Sequence, residues 1–95
     1  MSNQLKASLL DLSGALATAV GVAAAGEASQ EWDLAYTLIF SDQVAGRIRE
    51  VLKAVGLSFP DYYDPDSSYE EDTLAYARAC GEFKERIDRM AEALP

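Results

Sequence analysis

The amino-acid sequence predicts an all-α fold: an antiparallel three-helix bundle with coiled-coil-like packing, or four helices if the second segment breaks near Ser41. Apolar residues recur at steps of three and four along three long segments, which is the spacing of one helix face. Short connections join these segments, and short connections between long helices give antiparallel neighbours. At 95 residues, the chain is predicted to form a single domain, 1–95.

The first helix is predicted over residues 3–25. Its apolar residues form a heptad seam that consists of Leu5, Leu9, Leu12, Leu16, Ala19 and Ala23. Nearly opposite lies a small-residue face, formed by Gly14, Thr18, Gly21 and Ala25. Each glycine inside a helix costs about 1 kcal/mol, so a packing role is the expected compensation. Small residues let a second backbone approach closely, and this face is therefore a predicted self-association surface. Gly26 is predicted to end the helix.

The second helix is predicted over residues 29–55, with Ser29 as its N-cap. Its apolar residues follow helical spacing throughout. Ser41-Asp42, in the middle of the segment, is a cap-like pair, so a break there is the alternative to a continuous helix. Gly56-Leu57 is typical of a Schellman ending, in which the glycine adopts the left-handed conformation.

The third helix is predicted over residues 68–94, after an acidic, tyrosine-rich connector at 57–67. Ser67 and Ser68 each precede a glutamate by three residues, so each offers a capping box. An apolar seam then continues to the C-terminus in steps of four and three: Tyr69, Thr73, Tyr76, Cys80, Phe83, Ile87, Met90 and Leu94.

Sixteen Asp and Glu residues against eight Lys and Arg give a formal charge of −8. A direct nucleic-acid binder needs cationic side chains to replace phosphate counterions, so this charge argues against one. It argues equally against an anionic membrane. The charge favours a basic protein surface as the partner, because complementary fields speed encounter. Simple solubility is the alternative explanation.

The residues that enzymes use most are missing. The chain has no histidine, which removes the commonest general base and the commonest metal ligand. Its one cysteine, Cys80, lies on the apolar seam and has no histidine to activate it, so we expect a buried structural residue. No pocket is marked out by the acidic residues. We therefore expect a protein that is not an enzyme and that binds no cofactor.

The end of the connector matches a calcium-binding loop at only some of the required positions. Asp64, Asp66 and Ser68 fit positions one, three and five of an EF-hand. Tyr69 then stands where the loop requires glycine, and Ala75 where it requires a bidentate glutamate. We expect no metal site.

Residues 12–26 carry no charge, which raises the question of a membrane segment or signal peptide. The run is shorter than the roughly 18–20 residues that a bilayer span needs. Its amphipathic spacing is better explained by a bundle helix. We expect a cytoplasmic protein without membrane contact.

The stretch 59–72 combines acidic residues with three tyrosines and contains no basic residue. Tyrosines are frequent at binding hot spots, and carboxylates beside them would meet Arg or Lys of a partner. The predicted partner-binding residues are Asp61, Tyr62, Tyr63, Asp64, Asp66, Tyr69, Glu70, Glu71 and Asp72. The alternative is a solvated connector whose acids serve the helix N-terminus.

The run Asp61-Tyr62-Tyr63-Asp64-Pro65 resembles the Tyr-Tyr-Pro segment with which colicin-DNase immunity proteins bind their toxin, although here an Asp separates the tyrosines from the proline. In overall character the chain is similar to small acidic inhibitors encoded by phages and plasmids, such as anti-CRISPR and DNA-mimic proteins. These resemblances imply a helical protein that binds a basic partner.

Two functional hypotheses follow. The first is a stoichiometric inhibitor that masks a basic, nucleic-acid-handling surface of a partner protein. The second is a self-associating structural or adaptor module, a homodimer whose seam is the small-residue face.

Overall fold

The computed structural model describes residues 2–61 and 68–95, and no strand occurs among them. The helices are α1 (Ser2–Ser29), α2 (Trp32–Ile39), α3 (Arg47–Val55) and α4 (Tyr69–Glu92), and a π-helical turn, Asp42–Gly46, leads into α3. The predicted all-α bundle is confirmed in its four-helix form. Connector residues 62–67 lie outside the described residues, so their role in partner binding stays a prediction.

α1 and α4 form the central antiparallel pair. Lys6 near the start of α1 donates to the backbone carbonyl of Leu94, which follows α4, and Ser13 donates to Asp88. The two helices therefore run in opposite directions. α2 packs against both helices, whereas α3 packs against α1. The core between them is built mainly from Leu9, Leu12, Leu16, Ala19, Ile39, Ile48, Cys80, Phe83 and Ile87.

Gly26 does not end the first helix, and this prediction is wrong. α1 continues to Ser29, and Gly26 is buried where α2 crosses it. A Cβ placed on Gly26 would lie 2.6 Å from the Cβ of Ala35 and 3.3 Å from the ring of Trp32. The glycine therefore permits a close helix–helix approach.

The chain reverses after Ser29 at Gln30, which adopts a left-handed backbone with φ of 60°. Ser29 is not the N-cap of the next helix, as the sequence predicted. Its hydroxyl instead donates to the carbonyl of Ala25 at 2.9 Å. This bond satisfies a carbonyl in the last turn of α1.

Of the two alternatives for the second segment, the break near Ser41 occurs, and the continuous helix over 29–55 is wrong. Ser41 has extended backbone geometry, with ψ of 170°, and its hydroxyl donates to the carbonyl of Leu38 at 2.6 Å. The backbone N–H of Gly46 then bonds to the Ser41 carbonyl at 3.0 Å, five residues back, which is the π-helical pattern. A serine that bonds the preceding turn competes with the helix ladder.

The helix ends on either side of the connector form as predicted. Gly56 has φ of 72°, and the N–H of Leu57 bonds to the carbonyl of Leu52 at 3.0 Å, as in a Schellman motif. The Ser68 hydroxyl accepts a hydrogen bond from the N–H of Glu71 at 3.1 Å, which is one half of a capping box.

The heptad seams are confirmed in their centres and wrong at their outer ends. Leu5 and Met90 are each 44% exposed, whereas Ala91 is buried in place of Met90. A straight α-helix drifts by about 20° per heptad relative to a strict 3.5-residue repeat. Over the length of α4, this drift moves the buried face by one position.

Gly26→Ala tests the close approach of α1 and α2. We expect a net loss of about 1–3 kcal/mol in the free energy of unfolding, because the added methyl group overlaps Ala35. Gly14→Ala is the matched control: a Cβ at Gly14 meets nothing within 4 Å. That change should stabilise the helix by about 0.5–1 kcal/mol. Urea unfolding of both variants measures the difference. Equal stabilisation by the two changes would contradict the packing role.

A polar network fixes the register of α1 against α4. The Ser13 hydroxyl, which is 7% exposed, donates to Asp88, and the Lys84 ammonium lies 2.8 Å from the same carboxylate. The hydrogen bonds from Lys84 and Ser13 lower the pKa of Asp88 against a smaller opposing effect of burial.

Because its folded-state pKa is lowered, Asp88 contributes stability above the pKa of the unfolded chain, about 3.9, and this contribution disappears as pH falls through the folded value. We expect Asp88→Asn to cost about 1 kcal/mol near pH 6, since the carboxylate is partly exposed, and much less near pH 2.5. Ser13→Ala should weaken the same pH dependence. A cost of Asp88→Asn that is equal at both pH values would rule out this linkage.

Candidate functional site

Three helix ends bring exposed carboxylates together at one end of the bundle. The end of α1 lies beside the start of α2 through Gly26, and the start of α2 lies beside the start of α4, where the rings of Tyr36 and Tyr69 are 4.7 Å apart. We call this surface the acidic end. Its residues are Glu27, Glu31, Asp33, Glu70, Glu71 and Asp72, of which all but the half-buried Asp72 are exposed.

The sequence stretches that form the acidic end contain no basic residue. No Lys or Arg occurs in residues 7–46, which hold five acids, or in 54–77, which hold six; these two stretches therefore hold eleven of the sixteen acids. The salt bridges among the described residues lie elsewhere, at Asp11–Arg47, Lys84–Asp88 and Glu85–Arg89. Acidic and basic residues are thus largely separated along the sequence, and six of the acids meet at the acidic end.

The structure divides the predicted partner-binding residues. Tyr69, Glu70, Glu71 and Asp72 lie at the acidic end. Asp61 lines a separate groove with Arg78, Glu82 and Arg86 on the side of α4. Tyr62, Tyr63, Asp64 and Asp66 lie outside the described residues.

Glu27, Glu31 and Asp33 belong to the acidic end but were not among the predicted site residues. They are distant in sequence from the acidic connector, and only the antiparallel topology places them beside the start of α4. The absence of basic residues from 7–46 was the available sequence signal.

A row of aromatic rings runs from the acidic end along the side of the bundle. Neighbouring centroids are 4.7 to 5.9 Å apart, in the order Tyr69, Tyr36, Phe40, Tyr76, Phe59 and Phe83. Such distances are typical of favourable ring pairs. Phe59 and Tyr69, the residues on either side of segment 60–68, thereby contact the bundle through their rings. Tyr69 is still 55% exposed and adjoins Glu70 in the sequence.

A second surface, which we call the trough, lies between α1 and α2. Its floor is formed by Thr18, Gly21 and Ala25 and its opposite wall by Leu34 and Leu38, enclosing about 500 Å³. Leu34 is 62% exposed and Leu38 is 44% exposed, and neither was singled out from the sequence.

The trough continues toward the start of α1. A hollow of about 310 Å³ is lined by Leu10, Asp11, Gly14, Gln43 and Arg47, and it shares Thr18 with the first part. The predicted small-residue face therefore lies on the floor of the trough. Gly14, Thr18, Gly21 and Ala25 are all exposed, and no described atom lies within 4 Å of a Cβ built on either glycine.

Nucleophilic and metal chemistry finds little support among the described residues. Cys80 is fully buried, and this burial raises the pKa of its thiol to about 12. No group of three or more Cys, Asp or Glu side chains in residues 2–61 and 68–95 is arranged to hold a metal ion. The partial EF-hand match at Asp64 and Asp66 lies outside those ranges.

α1 is long and apolar enough to cross a membrane by length and composition alone. The most apolar 18-residue window within residues 3–29 has a mean hydropathy of 1.6, and 39% of that window is buried in the bundle. A core helix and an N-terminal signal sequence share these properties, so they assign no location.

No family model matches the chain, and neither a curated protein nor a solved structure is detectably similar to it. Function is therefore inferred from the geometry of this chain's own residues.

The burial of Cys80 predicts its reactivity. At pH 8 the folded protein should resist a thiol-specific reagent, because the reactive thiolate is suppressed and the sulfur is out of solvent contact. The thiol should react fully in denaturant. Rapid labelling of the native protein, at a rate independent of unfolding, would contradict this position in the core.

Proposed function

We propose that the protein is a stoichiometric inhibitor whose acidic end masks a basic, nucleic-acid-handling surface of a partner protein, in the manner of anti-CRISPR, DNA-mimic or immunity proteins. The observation that supports this most is that the fold brings acidic residues of three helix ends to one end of the bundle. Five of the six are exposed and Asp72 is half-buried, with no basic residue in the sequence stretches that carry them.

The acidic end suits a basic partner on electrostatic grounds. Carboxylates at the N-termini of α2 and α4 are stabilised by the helix dipoles, so the fold tolerates their mutual repulsion. Their repulsion is relieved when Lys and Arg of a partner approach, and complementary fields accelerate the encounter. Exposed Tyr69 adds a large and rigid contact area beside the charges.

A nucleic-acid-handling partner is the class that best matches this surface. Proteins that grip DNA or RNA carry rows of Lys and Arg, which bind phosphates and release counterions. A cluster of carboxylates offers the same charge to the same side chains, and Arg pairs with carboxylate as it does with phosphate. Occupation of such a surface requires no chemistry from the inhibitor.

Capture from a cell lysate with a double charge reversal tests the proposal. Asp33→Lys with Glu70→Lys changes the net charge by +4 at the acidic end. Glu50→Lys with Glu92→Lys makes the same change at exposed positions on α3 and α4 away from it. We expect the first variant to lose basic nucleic-acid-binding proteins that the wild type captures, and the second to retain them.

Added duplex DNA should release the captured protein from the wild type, because both ligands would occupy the same surface. Loss of capture by both double variants would show an effect of total charge and contradict a specific surface. A complex that persists in the presence of excess nucleic acid would contradict masking of the nucleic-acid site.

A further inference from the structure

We propose that the trough is the interface of a reversible homodimer, in which the α1 helices of two copies cross a two-fold axis in antiparallel orientation. This inference does not depend on the function of the acidic end. It assigns an occupant, a second copy of this chain, to an apolar surface that the folded monomer leaves uncovered.

The small-residue face is symmetric along α1. Gly14, Thr18, Gly21 and Ala25 are spaced by four, three and four residues, a pattern that reads the same in both directions. An axis between Thr18 and Gly21 therefore places Thr18 opposite the partner's Gly21, and Gly14 opposite the partner's Ala25. Each small residue faces another small residue, so the two backbones can approach closely.

Opposite charges stand at the two ends of the trough. Glu31 stands at one end of the trough and Arg47 at the other. Arg47 bonds to Asp11 with distances of 2.8 and 3.0 Å, yet its side chain remains 49% exposed and can meet a second carboxylate. Antiparallel crossing places Glu31 of each copy near the partner's Arg47. Parallel crossing would instead bring the two Glu31 side chains together.

The surface between these charges is largely apolar. Residues 12–26 of α1 hold no Asp, Glu, Lys or Arg, so a second copy can cover this stretch without desolvating a charge. Asp11, which lines the hollow beside Leu10, is paired with Arg47 within the same copy. Leu10 and Leu34, which are 53% and 62% exposed, stand along the trough and would be covered by the partner. Large exposed leucines beside a groove are typical of an interaction site.

The size of the surface sets the expected strength. The stretch from Leu10 to Ala25 is about 22 Å long, and two adjacent helices are about 20 Å wide, so the face measures roughly 450 Å². Stable interfaces cover about 800 Å² per partner. The dimer is therefore expected to dissociate on dilution.

Sedimentation or light scattering over a concentration series tests the dimer. We expect a shift from the 10.3 kDa chain toward twice that mass as concentration rises. Gly21→Glu should abolish the shift, because it places a charge on the floor of the trough. Ala54→Glu makes the same change at an exposed position of α3 that does not line the trough, and this control should still dimerise. Circular dichroism confirms that each variant is folded.

A charge swap tests the antiparallel orientation. Glu31→Lys alone and Arg47→Glu alone should each weaken self-association about tenfold, because like charges then face each other twice per dimer. Mixing the two variants in equal amounts should restore the dimer, since Lys at 31 of one copy meets Glu at 47 of the other.

Three results would overturn the inference. The first is a strict monomer at about 1 mM, because a dissociation constant above this value means almost no association. The second is a dimer that survives Gly21→Glu. The third is a mixture of the charge variants that associates no better than each alone.

Discussion

The antiparallel packing of α1 against α4 is the interaction on which the rest of the molecule depends. Leu9, Leu12 and Leu16 of α1 are almost fully buried, as are Cys80 and Ile87 of α4. Burial of a leucine-sized side chain contributes about 1.5–3 kcal/mol, so a few such positions supply most of the margin available to a 95-residue chain. The second half of α1 replaces leucine with alanine. Alanine and Gly26 take little space, and α2 can therefore pack against both long helices at this end.

This arrangement also decides where charge accumulates. Because α1 and α4 run in opposite directions and α2 turns back beside α1, one end of the bundle collects the C-terminus of α1 and the N-termini of α2 and α4. Acidic residues are favourable at helix N-termini, and two of these three helix ends are N-termini. An acidic surface is thus compatible with the topology, whereas the same residues spread along the bundle would compete with the ion pairs of Lys84 and Arg89.

The regular parts of the fold were predictable from the sequence, and so was the cap at Ser68, because local spacing and side-chain chemistry determine them. Gly26 was misread for a physical reason: a glycine near a helix end serves equally as a stop or as a contact, and only the position of Ala35 distinguishes the two. The buried position at the end of α4 is Ala91 and not Met90. This too could not be read from local sequence, since it depends on how α4 packs.

The candidate site was only partly predictable. The sequence drew attention to the contiguous stretch from Asp61 to Asp72, yet Asp61 lies in a different groove beside Arg78. Glu31 and Asp33 join the acidic end through tertiary packing, which no local pattern records. The small-residue face was visible in the sequence, whereas the trough was not, because its opposite wall depends on the placement of Leu34.

The acidic end and the trough meet at Glu31, and this shared residue constrains how the two surfaces can work together. The remaining residues of the acidic end do not line the trough: Glu27 lies near the end of α1, and the others lie at the starts of α2 and α4. In the proposed antiparallel dimer, the two acidic ends would therefore point in opposite directions, which separates like charges and leaves Glu70 and Asp33 exposed in each copy. A partner with two basic sites, or with repeated sites along a nucleic acid channel, would gain affinity from such a pair through effective concentration. A parallel dimer would set the acidic ends side by side and oppose its own assembly. The electrostatics of the acidic end thus favour the same orientation as the symmetry of the small-residue face.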